Sequence, residues 1–171
     1  MNRWQAMAIL AAGFLLGCGQ PSEPLIIKIG SVQSVRLGGW GSGTVVSISV
    51  DLENQGKEAI HVAYDSVHLL TAEGDRGSLR AFRGEIKRRE GQAASNGDRE
   101  SALKPLLDAG FDRAVLEDLK QDVIEIGPGG RTKKVFAFNL ARPTAAGTIE
   151  LSYHDMDTDK MFRISQEFRV R

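Results

Sequence analysis

Apolar and polar residues alternate over much of the chain, and the alternation predicts a sheet protein. From Val46 the apolar Ile48, Val50 and Leu52 interleave with Ser47, Ser49 and Asp51, the period-two pattern of a strand with one buried face. Leu25 to Val35 is rich in isoleucine and valine and reads as an earlier strand, ending at a glycine-rich loop from Gly38 to Gly43 that carries Trp40. Asn54-Gln55-Gly56-Lys57 supplies turn chemistry after the second strand. A further stretch contains Ile60, Val62 and Tyr64, and another contains Val67 and Leu69 before Glu73-Gly74-Asp75. The second half follows the same logic. Val123-Ile124-Glu125-Ile126 leads into Gly127-Pro128-Gly129-Gly130; Phe136, Phe138 and Leu140 share one face, and Ile149, Leu151 and Tyr153 another. Phe162, Ile164, Phe168 and Val170 alternate with charged and polar positions as a closing strand. Short strands separated by glycine and proline turns predict a mainly β fold, an antiparallel β-sandwich over residues 25–171.

Residues 84–121 break the pattern. Leu103, Leu106, Leu107, Phe111, Ala114, Val115 and Leu119 recur at threes and fours, which predicts a short helical insertion. Pro105 suits a first helical turn, Gly110 a helix end and Asp112 a cap, so two short helices are expected over an edge or open end of the sandwich.

Composition adds limits. Of 171 residues, 42% are hydrophobic and 26% charged, enough apolar material for one core. Lysine plus arginine and aspartate plus glutamate both total 22, a balance without the basic footprint of a nucleic-acid partner. A single cysteine excludes an intramolecular disulfide and any multi-cysteine zinc cluster. That cysteine closes a distinctive segment. Arg3 precedes an apolar run from Ala6 to Leu16, too short to cross a bilayer as a helix, and then come small residues: a secretory signal pattern. Leu15-Leu16-Gly17-Cys18 resembles the lipobox of bacterial lipoproteins. That resemblance implies a signal peptide at 1–17, lipidation of Cys18 and a tether at 18–24, with the membrane as a partner through the lipid. Gly19 in place of aspartate favours the outer membrane, facing the periplasm.

The strand pattern is also similar to a domain-of-unknown-function family of immunoglobulin-like domains found in bacterial lipoproteins and secreted proteins. Val50 to Glu58, Val67 to Gly74, Ile126 to Gly130 leading into Phe136-Ala137-Phe138, and Ile149 to Tyr153 carry the resemblance. It implies an immunoglobulin-like sandwich and no catalytic residue, since the family has no agreed catalytic set.

Candidate sites are sparse. His154 with Met156 and Met161 nearby suggests a copper-type donor set, and the alternating Asp155, Asp157 and Asp159 suggest the start of a calcium loop. Lys160 and Gln166 stand where an EF-hand needs glycine and glutamate, so a solvated acidic turn is the expectation. His61 and His68 lie in separate strand segments and read as strand-surface residues. Lys87, Arg88 and Arg89, with Arg80 and Arg83 upstream, form a basic cluster expected on an exposed loop or strand end, and with Trp40 they are the expected partner contacts. Neither a Gly-x-Ser-x-Gly elbow nor a His-Glu-x-x-His helix occurs. The expectation is a non-enzymatic, lipid-anchored envelope protein without a cofactor, acting as a binding or assembly module with an envelope protein partner. The alternative is a periplasmic metal or small-ligand carrier.

Overall fold

The computed structural model describes residues 23–37, 43–95 and 99–169. Cys18, with Leu15, Leu16 and Gly17, and Trp40 lie outside the described residues. The fold is mainly β, with two antiparallel sheets and three helices among the described residues. One sheet orders β1 (Leu25–Arg36), β2 (Thr44–Asn54) and β7 (Arg131–Leu140), with β2 central. The other contains β3 (Ile60–Ala63), β4 (His68–Thr71), β5 (Arg76–Ser78), β6 (Val123–Ile126), β8 (Ala146–Asp155) and β9 (Lys160–Arg169).

The alternation seen in the sequence is the alternation that is buried. Val46, Ile48, Val50 and Leu52 of β2, Phe136, Phe138 and Leu140 of β7, and Ile149, Leu151 and Tyr153 of β8 contribute to one continuous core. Each such side chain, fully removed from water, is worth roughly 1.5–3 kcal/mol. The period of two places them on one face of each strand, so the two sheets share that core.

Strand β8 organises the larger sheet. One edge pairs with β9 along its whole length, from Ala146↔Arg169 to Asp155↔Lys160. The opposite edge is divided: β4 pairs near its start, at Gly147 to Glu150, and β3 near its end, at Tyr153 to Asp155. Between β3 and β4 the chain leaves the sheet in a 3-10 turn, Tyr64–Ser66. The strand containing Ile60 and Val62 therefore stops at Ala63 rather than running through Tyr64, although the Tyr64 ring is fully buried. The Ser66 hydroxyl fills the break. It accepts from the Ser152 N–H at 3.2 Å and lies 2.8 Å from the Ser152 carbonyl oxygen. Close approach of β4 and β8 also requires Gly147, where a Cβ would come within 2.6 Å of the Leu70 carbonyl oxygen.

The helical segment is longer and differently divided than the spacing predicts. It comprises α1 (Leu79–Ser95), α2 (Arg99–Asp108) and α3 (Arg113–Asp118), so it begins at residue 79 and not 84. Ser78 marks the true start, accepting a hydrogen bond from the Ala81 N–H at 3.1 Å. Pro105 sits inside α2 and not in a first turn. The helix ends within a turn of it, at Gly110 with φ +90°, where Gly110 and Phe111 donate back to the Leu107 and Leu106 carbonyls. Phe111 then stacks on Phe82 of α1, with centroids 6.4 Å apart. Asp112 caps α3 through the Ala114 N–H, as its position predicts.

Candidate functional site

The basic cluster is helical, which corrects its assignment to an exposed loop or strand end. Within α1, Lys87 and Arg88 are exposed, Arg89 is half-buried and Arg83 is buried. The reason is spacing: Leu79, Phe82, Arg83 and Ile86 form the buried stripe, and the other cations fall on the wet face. Arg88 and Arg89 both grip Glu85, at 2.6 and 2.7 Å, and the Arg88 hydrogen bond is the main reason that the Glu85 carboxyl is drawn down to about 2.

Arg83 is a structural hub. Its Nε donates to the Leu119 carbonyl at 2.8 Å, Nη1 to Asp65 at 2.7 Å, and Nη2 to Asp122 at 2.6 Å and the Lys120 carbonyl at 3.3 Å. The guanidinium also lies 5.5 Å from the centroid of the Tyr64 ring. The Tyr64 hydroxyl donates to Asp118 at 2.8 Å, and Lys134 of β7 reaches the same carboxylate at 2.6 Å. Burial first, and then the hydrogen bond to Asp118, raise the Tyr64 hydroxyl far above the ordinary phenol range. These bonds fasten α1 to the 3-10 turn and to the segment joining α3 to β6, and tie α3 to that turn and to β7.

An open groove of about 700 Å³ runs beside the start of α1. His68, Arg76, Ser78, Asn139, Glu150 and Arg163 contribute its polar lining. The strands bring these residues together: His68 faces both Ser78 and Glu150 in register, and Ser152 faces Arg163. Among the described residues, Arg76, Glu150 and Arg163 form no ion pair with one another or with other side chains, and the buried Asn139 Oδ1 accepts no hydrogen bond. The groove therefore offers cationic, anionic and amide groups whose bonding capacity is unspent. Sequence reasoning missed it because its residues come from seven separate elements; the only visible signal was His68 of β4 and the polar residues on the outward positions of β8.

The acidic hairpin between β8 and β9 spends two of its carboxylates on itself. Asp155 is buried and its carboxylate folds the turn, accepting from the Asp157 N–H at 3.1 Å and the Thr158 hydroxyl at 2.9 Å. Asp159 turns instead to His154, 2.9 Å from its Nε2. Met156 is exposed on the turn. Among the described residues no three His, Cys, Asp or Glu side chains gather closely enough to hold a metal ion. The structure does bring together two histidines that sequence spacing kept apart: His61 of β3 pairs in register with His154 of β8.

No family model matches the chain, and no curated protein sequence matches it either. Among solved structures it has distant similarity to the structural-genomics target SoR45, at 11% identity and a TM-score of 0.45, covering 86% of this chain and 85% of that one. It is similarly distant from a FixG-related protein of Vibrio parahaemolyticus, at 8% identity and a TM-score of 0.39, covering 87% of this chain and 98% of that one. The likeness is structural and distant, and it assigns no family. No described helix is long and apolar enough to cross a membrane.

Proposed function

We propose that the protein is a non-enzymatic, lipid-anchored module of the cell envelope that binds or assembles with another envelope component. In this reading the two sheets form an immunoglobulin-like sandwich, moored through Cys18 to the outer membrane and facing the periplasm. The groove beside α1 is the observation that carries the binding role: unpaired charges of both signs line an open cleft of about 700 Å³, suited to a polar protein segment or small ligand. Trp40 and the exposed Lys87 remain further expected partner contacts, whereas Arg88 and Arg89 are already engaged by Glu85 and contribute less.

Two measurements test it. The Cys18→Ala chain is expected in the soluble fraction of fractionated cells, while the native chain stays with membranes, because durable attachment needs the acyl chains. Retention of the variant in membranes overturns the anchor. A photocrosslinker placed at Glu150 is expected to capture an envelope partner, and one at Lys133 on β7 is not; Arg163→Glu is expected to abolish the adduct. Equal capture from both positions overturns the groove as the contact.

A further inference from the structure

The larger sheet carries a row of side chains that crosses four strands at one level. Glu125 of β6 pairs with His61 of β3, His61 with His154 of β8, and His154 with Met161 of β9. Directly opposed residues on neighbouring antiparallel strands hold their Cβ atoms about 4.5–5.5 Å apart, on the same face. A metal bonded to two imidazole nitrogens at about 2.0–2.1 Å spans that separation without moving the backbone. Each imidazole also has a carboxylate beside it. Nε2 of His154 is 2.9 Å from Asp159, and Nε2 of His61 is 3.8 Å from Glu125. The His154 ring, donating through Nε2–H to Asp159, presents an unprotonated Nδ1, the tautomer a metal requires, and a carboxylate so placed orients and strengthens a histidine ligand; Glu125, at 3.8 Å, stands beside His61 but beyond hydrogen-bond reach. Both imidazoles are about two-thirds buried, with 36% and 31% of their side chains exposed, whereas Met161 is largely exposed and has freedom to swing over the pair.

We propose that His61 and His154 form a Cu(I) site, with the Met161 thioether as third ligand. The donor set selects the ion. Two nitrogens and one soft sulfur suit Cu(I), which accepts two or three ligands, whereas a structural zinc site takes four protein ligands. The proposal concerns binding alone and needs no change of oxidation state at the protein. It is independent of anchoring at Cys18 and of the groove, so each can fail alone.

The test is anaerobic competition for Cu(I) with a chromophoric chelator, using the full chain carrying Cys18→Ala so that the one thiol does not compete. One equivalent of Cu(I) is expected to bind. His61→Ala and His154→Ala are each expected to weaken binding about tenfold or more, while His68→Ala, on the same sheet but outside the row, leaves it unchanged. Met161→Leu is expected to weaken Cu(I) binding and to remove the sulfur scatterer from the copper X-ray absorption spectrum. Circular dichroism checks that each variant is folded. Failure to take Cu(I) from the chelator overturns the site, as does binding that His61→Ala leaves unaltered.

Discussion

Two buried polar side chains hold opposite ends of β6, and they do so by different physics. At its C-terminal end Asn54, fully buried, donates through its amide to the carbonyls of Glu58, Ile126 and Gly127 at 2.7, 2.9 and 3.1 Å. Its Oδ1 accepts from the Gly56 N–H at 2.8 Å, and its own N–H donates to the Gly130 carbonyl. At the N-terminal end Arg83 binds two carbonyls and two carboxylates. Asn54 is neutral, and most of what it satisfies is backbone. Arg83 carries a charge, and its acids keep contact with water, Asp65 at 52% and Asp122 at 85% side-chain exposure. When a partner is removed, an exposed carboxylate returns to solvent at little cost, whereas a buried carbonyl has nowhere to turn. Asn54 is thus held by unsatisfiable partners, and Arg83 by packing and cation–π contact as much as by charge.

The largest expected effect is from Arg83→Ala, which leaves a cavity, two carbonyls without their donor and an uncovered Tyr64 face: a loss of about 4 kcal/mol in urea unfolding. Asn54→Ala follows at about 3 kcal/mol, since several polar groups lose one shared partner. Arg83→Met sharpens the contrast. It keeps volume and discards charge, and is expected to cost only about 1–2 kcal/mol; a loss equal to that of Arg83→Ala would show that charge dominates after all. The smallest effect is a pH dependence. The Arg83 hydrogen bond, followed by the attraction of its charge, holds the Asp122 carboxyl below its ordinary 3.8. Stability from this pair is fully present above that ordinary value and is lost as pH falls through the lower folded value. The gap between native and Arg83→Ala chains therefore narrows in acid, while the gap for Asn54→Ala stays constant because no titrating group is involved.

The same two residues show what the sequence disclosed. Asn54 was legible as part of Asn-x-Gly turn chemistry, because a local motif announces itself within three residues. Its second task, tying that turn to the Gly127–Gly130 turn, spans more than seventy residues and left no mark. Arg83 was misread because it sits among other cations in a run that looks uniformly wet. Only the phase set by Leu79, Phe82 and Ile86 separates it from Arg80 and Lys87, and that phase becomes visible only when the helix is started at Ser78. The long strands were legible because each sends alternate residues into the core, although β1 shifts register between Ile29 and Val32 and β2 also buries Val45 and Ser49 on its other face. Strand β5 was missed, since three residues, Arg76 to Ser78, are too few to show a period. The His61–His154 pairing and the groove arise from register across strands distant in sequence, which local spacing does not encode.

Ser66 has a consequence for how β8 finds its alignment. Sliding β8 by one position would carry the Ser152 peptide away from the hydroxyl and turn Leu151 and Tyr153 outward, so a single side-chain oxygen rewards only one alignment. A sheet built from two short strands placed end to end along a longer one has an obvious opportunity to slip, and this hydroxyl works as a dowel that locks all three together.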